Sequence, residues 1–92
     1  MVLHLSDQFK NDIKVYQKKK AYKEGAKIWA LILEIQTYCD RPLEGKGNPE
    51  LLRHLGENVY SRRITAEHRL IYRLKENHID LISCLGHYTA KW

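Results

Sequence analysis

The sequence predicts an α+β domain with the element order β-α-α-β-β-β, in which two N-terminal helices pack on an antiparallel sheet. The prediction depends on two periodicities and on length. Apolar residues recur at helical spacing between residues 7 and 38, whereas apolar and polar residues alternate between residues 59 and 85. A chain of 92 residues has room for one core, so residues 1–92 are expected to form a single domain.

The first strand and helix follow each other closely. The apolar run Val2–Leu5 predicts a strand, and Ser6 and Asp7 after it are typical of a helix N-cap. Three apolar side chains then recur at helical spacing: Phe9, Ile13 and Tyr16.

The second helix is the most apolar part of the chain. Gly25 is interpreted as a break or helix start, and residues 26–38 as the helix itself. The apolar stripe of this helix is wide enough to lie across a sheet, with Trp29 in the core. Pro42 is expected to end the helix, because the residue before a proline is pushed out of helical geometry.

The second half predicts a loop and three strands. Residues 43–50 contain two glycines, an asparagine and a proline and are interpreted as a surface loop. Residues 51–55 are interpreted as a short strand or turn. Alternation then predicts strands over residues 59–64, 68–75 and 78–85, of which the last is apolar on both sides and therefore central.

The charge balance points to an anionic partner. Sixteen Lys and Arg against eleven Asp and Glu give a net charge of +5, and the pI is about 9.3. This excess favours a polyanion or an acidic protein, and a soluble basic protein with neither partner is an alternative of equal weight.

Membrane, disulfide and metal sites are not expected. No apolar run approaches the roughly 20 residues that span a bilayer, and the N-terminus lacks the pattern of a signal peptide, so a cytoplasmic protein is predicted. Cys39 and Cys84 are predicted to be buried free thiols. No metal or other cofactor is expected, because the histidines match no metal-binding motif: His4, His54, His68, His78 and His87.

Residues 61–72 form the stretch that most clearly indicates a function. They read S-R-R-I-T-A-E-H-R-L-I-Y and predict two strands joined by a tight reversal, with Arg62, Arg63 and Arg69 on or beside the pair. Arginine presents a planar fork of donors that matches phosphate. The working hypothesis is that this ribbon faces RNA.

Four short motifs resemble one family in order and spacing. They are E-G-K-G-N-P-E-L-L at residues 44–52, S-R-R-I at 61–64, E-H-R-L-I-Y at 67–72 and H-Y at 87–88. Together they resemble the YoeB/Txe toxins of the RelE superfamily, over residues 42–88, with an architectural likeness over the two N-terminal helices. The resemblance implies a RelE-like fold.

The resemblance implies a bacterial type II toxin that enters the ribosomal A site and cleaves messenger RNA without a metal. The general base would be Glu50, the charge stabiliser Arg69 and the general acid His87. Supporting contacts to the RNA would come from five further residues: Arg63, Tyr88, Lys46, Arg53 and His54. The implied partners are the 70S ribosome with its mRNA and rRNA, an acidic antitoxin of the YefM/Axe kind and a second copy of the toxin in a homodimer.

The residue types suit this chemistry independently of the family. RNA supplies its own nucleophile, the 2′-hydroxyl. A carboxylate can take the 2′-proton, a guanidinium can stabilise the phosphorane, and an imidazole can protonate the 5′-oxygen. Strand parity allows Arg63 and Arg69 to share a face.

The antitoxin is expected to cover the groove between residues 45–50 and the ribbon.

Alternatives remain at this point. Arg69 could form a salt bridge with Glu67 or Asp80, and His68 is interpreted as structural despite lying in a motif. The chain could also be a gyrase-poisoning relative or a non-enzymatic RNA-binding member of the same superfamily. It departs from the family by continuing past His-Tyr through residues 89–92 and by lacking a tryptophan-rich opening.

Overall fold

A computed structural model of the chain describes residues 1–86. Two helices and five strands occur in the order β1 (Val2–Leu5), α1 (Asp7–Lys18), α2 (Tyr22–Thr37), β2 (Glu50–Leu51), β3 (Val59–Arg63), β4 (Arg69–Leu74) and β5 (His78–Ser83), with a 3-10 helix at Arg53–Leu55 after β2. Residues 51–55, predicted as a strand or a turn, divide between the end of β2 and this 3-10 helix.

The five strands form one sheet in the order β1-β5-β4-β3-β2. The pairs formed by β2 to β5 are antiparallel, whereas β1 runs parallel to β5. The predicted α+β class is therefore confirmed, with one parallel pair in an otherwise antiparallel sheet. The predicted interior position of the last strand is also confirmed, since β5 lies between β1 and β4.

The helix boundaries agree only partly with those predicted from the sequence. The Ser6 hydroxyl accepts a hydrogen bond from the Phe9 amide and caps α1 as predicted. The second helix begins at Tyr22, so the prediction that Gly25 breaks the chain was wrong. It ends at Thr37, before Pro42 can act. Within residues 1–86, neither helix is long and apolar enough to cross a membrane.

The sheet has two different faces. Both helices cover one face and share a core with it, whose fully buried members include Phe9, Ile32, Tyr72 and Leu81. Trp29 meets Phe9 edge-on at 6.1 Å between ring centroids, but it is 44% exposed, so its predicted core position was wrong. It lies beside the groove between α1 and α2, at the edge of the core.

The two cysteines differ in environment. Cys84 is fully buried as predicted, but Cys39 is exposed, because α2 has already ended when the chain reaches it. Burial, with a smaller contribution from the nearby Asp12 carboxylate, raises the pKa of the Cys84 thiol to about 12. Thiolate is the reactive form, so the two thiols should differ sharply in reactivity.

We expect a thiol reagent such as DTNB at pH 8 to modify Cys39 within seconds and to leave Cys84 unmodified in the folded protein. Peptide mass mapping identifies the labelled residue, and Cys39→Ser should abolish the fast reaction. Denaturant should expose the second thiol. Rapid labelling of Cys84 in the native state would contradict the buried position.

Candidate active site

The face of the sheet opposite the helices carries three of the candidate site residues, Glu50, Arg63 and Arg69, and we call it the open face. Its centre is a small apolar cluster of Leu52, Val59 and Ile71. Polar side chains flank that cluster, because alternate residues of paired strands point to the same side. By register, the open face carries these polar residues: Glu50, Ser61, Arg63, Arg69, Arg73, Asp80, His78 and His4.

Arg63 and Arg69 are direct cross-strand partners at one end of this face. The prediction that they share a face is confirmed. Two like charges placed opposite each other destabilise a strand pair. Among the ion pairs of residues 1–86, none involves either arginine. Two positively charged side chains therefore lie side by side at this end of the sheet.

Neutral carbonyl groups hold the Arg69 side chain in place. Its Nη1 donates to the carbonyl oxygens of Thr65 at 2.7 Å, His68 at 3.2 Å and Ala66 at 3.3 Å. Thr65 shapes this turn, since its hydroxyl accepts hydrogen bonds from the amides of Glu67 and His68. The proposed salt bridge from Arg69 to Glu67 or Asp80 is not formed. Backbone carbonyl groups, and not a carboxylate, therefore orient the guanidinium.

Arg62 has the opposite environment, and the hypothesis that it faces RNA was wrong. It points to the helix side and is 1% exposed. Its Nη1 lies 2.9 Å from Glu34 Oε1 on α2, and its Nε donates to the Tyr72 hydroxyl at 3.1 Å. Burial raises the pKa of Tyr72, so this phenol stays protonated beside the arginine.

Arg62 also holds the loop that leads to Glu50. Its Nη1 donates to the carbonyl of Lys46 at 3.0 Å, and its Nη2 to that of Glu44 at 3.0 Å. Glu34 accepts a further hydrogen bond from the Lys46 amide at 2.6 Å. One buried ion pair thus satisfies the backbone of residues 44–46. Sequence reasoning missed this contact. The signal that could have found it is alternation along β3, which puts Arg62 on the same side as the apolar Tyr60 and Ile64.

The loop approaches β3 so closely that it needs glycine. The Arg63 amide donates to the Gly47 carbonyl at 2.6 Å. Gly45 has a φ of +108°, and a Cβ there would overlap the Glu34 carboxylate. Both conditions exclude a larger residue at position 45. Close docking of the loop therefore depends on Gly45.

We expect Gly45→Ala to lower the free energy of unfolding by at least about 1 kcal/mol, because alanine is strained at positive φ and displaces Glu34. Gly25→Ala is the matched control. Gly25 lies within α2 with nothing within 4 Å of an added Cβ, so alanine there should stabilise by roughly 0.5–1 kcal/mol. Urea unfolding measures both changes. If the two substitutions changed the free energy of unfolding in the same direction, this description of the loop would be wrong.

Glu50 lies on the strand next to the arginine pair. It is exposed, begins β2 and pairs with Ser61, two residues before Arg63 on β3. Strand spacing and rise put its Cα about 12 Å from that of Arg69. Side chains of this length can both reach a phosphate bound between them. Asn48 Nδ2 lies 3.5 Å from Glu50 Oε1 and helps to orient the carboxylate.

The remaining described candidates belong to the segments before and after β2 in the chain. Lys46 is exposed on the docked loop, and Arg53 and His54 are exposed on the 3-10 helix that follows β2. The backbone of the loop is held from the helix side by Arg62 and Glu34, whereas the 3-10 helix packs Leu55 against the apolar cluster of the open face.

His87 and Tyr88 lie outside the described residues, but the segment before them is firmly held. The Asp12 carboxylate accepts a hydrogen bond from the Cys84 amide at 2.9 Å, and the Tyr16 hydroxyl donates to the Cys84 carbonyl at 2.6 Å. Gly86 then donates its amide to His68 Nδ1 at 2.8 Å and accepts from the Arg69 amide at 3.0 Å. The structural role predicted for His68 is confirmed. The chain therefore reaches residue 86 directly beside Arg69.

Comparison with known proteins agrees with this arrangement. A family model for the YoeB-like toxin of bacterial type II toxin-antitoxin systems matches residues 5–88. Toxin YoeB of Escherichia coli strain K12 is 47% identical over 47 residues, which are 51% of this chain and 56% of that toxin. The chain therefore aligns with little more than half the length of this relative.

Solved structures extend the likeness to almost the whole chain. The YoeB dimer from Staphylococcus aureus gives a TM-score of 0.85 at 39% identity, covering 96% of this chain and 98% of that one. A chain from the heterotetrameric YoeB-YefM toxin-antitoxin complex of S. aureus gives 0.80 with the same identity and coverage. The fold is thus that of a RelE-like toxin of a type II toxin-antitoxin system. Within that class, the chain belongs to the YoeB toxin family, as the four motifs had indicated.

Proposed function

We propose that this toxin is a ribosome-dependent endoribonuclease that cleaves mRNA in the ribosomal A site and so inhibits translation. Cleavage would proceed without a metal ion, by attack of the RNA 2′-hydroxyl on the adjacent phosphate. The observation that carries this proposal is the pair Arg63 and Arg69, two cations that are direct cross-strand partners on an open sheet face. Glu50 lies on the neighbouring strand of that face.

The arginine pair suits a phosphate whose negative charge grows during reaction. Arg69 is held by three carbonyl oxygens, so little reorganisation is needed when the phosphorane forms. Preoriented donors of this kind are the main electrostatic contribution to catalysis. Arg63 would position the same phosphate or its neighbour from the opposite strand.

Glu50 is proposed as the general base that removes the 2′-proton. It is exposed at the end of a strand that is hydrogen-bonded to β3, so its backbone is fixed relative to Arg63. General bases of this kind contribute about 10²–10⁴-fold to rate. The Arg62–Glu34 ion pair would support the role by holding the preceding loop.

His87 is proposed as the general acid that protonates the departing 5′-oxygen. Attacking and leaving oxygens lie on opposite sides of the phosphorus, so base and acid should flank the arginines. Glu50 is on β2, at one side of the β3–β4 arginine pair, and the segment ending at Gly86 follows β5 on the other. Tyr88 would stack on or bind the RNA beside it.

Three further side chains would bind RNA without taking part in proton transfer. Lys46, Arg53 and His54 are exposed on the loop and the 3-10 helix that flank β2. The two cations, Lys46 and Arg53, would bind the phosphates flanking the cleaved one, and His54 would contact the RNA beside them. We expect their replacement to raise the half-saturating concentration of substrate more than it lowers the maximal rate.

The partners follow from the same surface. A basic chain of net charge +5 in the bacterial cytoplasm would bind the 70S ribosome through mRNA and rRNA phosphates. An acidic antitoxin is proposed to fold over the groove between residues 45–50 and the ribbon. The S. aureus relative is described both in complex with YefM and as a dimer. A homodimer of this chain is proposed by analogy.

Primer-extension mapping of a defined mRNA tests the function. In a purified translation system containing EDTA-treated toxin, cuts should appear with 70S ribosomes and fall within the A-site codon. They should be absent without ribosomes and in the presence of the antitoxin. Expression of the toxin in bacteria is the complementary test, and growth arrest there without any mRNA cut would favour the gyrase-poisoning alternative. RNA binding without cleavage in the purified system would favour the non-enzymatic one.

A further inference from the structure

Three metal-ligating side chains meet where β1 pairs with β5, at the end of the open face away from Arg63 and Arg69. His4 on β1 is the register partner of Asp80 on β5, and His78 precedes Asp80 by two residues. His4 Nδ1 lies 3.4 Å from Asp80 Oδ1, and His78 Nε2 lies 3.6 Å from the same oxygen. One ligand atom of each residue lies within 4.8 Å of the other two.

These separations fit one metal ion of the size of zinc. Bonds of 2.0–2.2 Å in a tetrahedral site place ligand atoms about 3.4 Å apart. The distances from Asp80 Oδ1 to His4 Nδ1 and to His78 Nε2 are already within a few tenths of an ångström of this value. The third separation is that between the two histidine nitrogens. The His4 side chain is 60% exposed, so rotation of its imidazole can shorten the third without moving the backbone.

The donor set is also suited to zinc. Two imidazole nitrogens and one carboxylate oxygen form a common zinc ligand set that leaves a fourth position for water or an outside donor. The backbone positions are preorganised, since all three residues belong to hydrogen-bonded strands. The sequence did not reveal the set, because only the pairing of two strands far apart in the chain brings His4 to the His-x-Asp pair on β5.

Two nearby cations limit the affinity. Lys75 Nζ lies 3.3 Å from Asp80 Oδ2, and Arg73 is the β4 register partner of Asp80. Lys75 contacts Oδ2, whereas both histidines approach Oδ1, so the metal-facing oxygen remains accessible. The lysine nevertheless competes for the charge of the carboxylate.

We propose that His4, His78 and Asp80 form a zinc-binding site that links the N-terminal strand β1 to the interior strand β5. The bound ion would stabilise the folded state, because the unfolded chain does not bring residue 4 to residues 78 and 80. The site lies apart from the arginine pair, and the proposal does not depend on the proposed ribonuclease activity.

Isothermal titration of zinc chloride into the untagged full chain tests the proposal. Cys39→Ser is the parent, because the exposed Cys39 thiol is itself a zinc ligand. We expect one equivalent of zinc to bind. His4→Ala and Asp80→Asn should each weaken binding at least tenfold, since even indirect partners of a metal ligand are worth about 10–100-fold. Lys75→Gln should tighten it by removing the competing cation.

Two further measurements separate this site from adventitious binding and from misfolding. His54→Gln removes an exposed histidine elsewhere and should bind zinc as the parent does. Zinc should raise the Tm of the parent and leave that of His4→Ala unchanged, and this exposed substitution should not alter the Tm without zinc. The proposal is overturned if the parent binds no zinc, or if His4→Ala and Asp80→Asn bind it with parental affinity.

Discussion

Replacing Arg62 by methionine is expected to lower the free energy of unfolding by about 3–5 kcal/mol, the usual cost of removing one partner of a buried ion pair. Methionine preserves most of the unbranched side-chain volume, so the loss is mainly electrostatic. It leaves Glu34, the Tyr72 hydroxyl and the carbonyls of residues 44 and 46 without their donor. Urea unfolding followed by circular dichroism measures the change.

The next residue in the strand provides the matched control. Arg63→Met makes the same chemical change at an exposed position, so it should shift the free energy of unfolding by no more than about 0.5 kcal/mol. The double variant Glu34→Met/Arg62→Met should recover part of the loss, because no unpaired charge then remains in the interior. If Arg62→Met and Arg63→Met destabilised the protein equally, the ion pair would not hold the loop.

The different environments of these arginines show what the sequence could predict. Alternation correctly allowed Arg63 and Arg69 to share a face, because the side-chain period of a strand is fixed. The hypothesis that the whole ribbon faces RNA was wrong for Arg62, which is buried. The partner of Arg62 was not predictable. Glu34 interrupts the apolar side of α2, but nothing in the local pattern shows which strand residue this helix position will meet.

The errors elsewhere have similar causes. Gly25 is tolerated in α2 because packing of the apolar face, including Ile28 and Ile32, outweighs the small helix penalty of one glycine. The His4 and Asp80 contact depends on a parallel pairing of chain segments far apart in sequence. Local patterns predicted the elements and their order, whereas contacts between distant elements required the structure.

The candidate site divides in the same way. Motif order and residue type pointed to Glu50, Arg63 and Arg69, and the register confirms that these three share a face. The sequence did not show how Arg69 is oriented. Its three carbonyl partners come from the reversal at residues 65–68, and backbone groups are present at every position, so their direction cannot be inferred from residue identity.

Arg69 and Glu50 should contribute to the proposed cleavage in separable ways. Arg69→Met is expected to lower the rate of single-turnover mRNA cleavage on programmed ribosomes by about 10²–10³-fold, the usual effect of removing one preoriented donor. Arg69→Lys should recover little of this, because lysine keeps the charge but lacks the fork that spans two phosphate oxygens.

Arg73→Met is the control for net charge. Arg73 is on the same strand and face as Arg69, but its register partners are Val59 and Asp80, so it is not opposite a second arginine. Both substitutions remove one positive charge, so general attraction to the ribosome weakens equally. Arg73→Met should therefore stay within a few-fold of the unmodified toxin, whereas equal losses would mean that Arg69 acts through overall charge.

Glu50→Gln should lower the saturated cleavage rate by about 10²–10⁴-fold while leaving ribosome binding unchanged, because glutamine has a similar shape but cannot accept the 2′-proton. Binding is measured by co-sedimentation with 70S ribosomes. A substrate with a 2′-deoxy nucleotide at the cleavage point is the complementary test, since it removes the nucleophile itself. Cleavage of that substrate, or full activity of Glu50→Gln, would exclude Glu50 as the base in a 2′-hydroxyl mechanism.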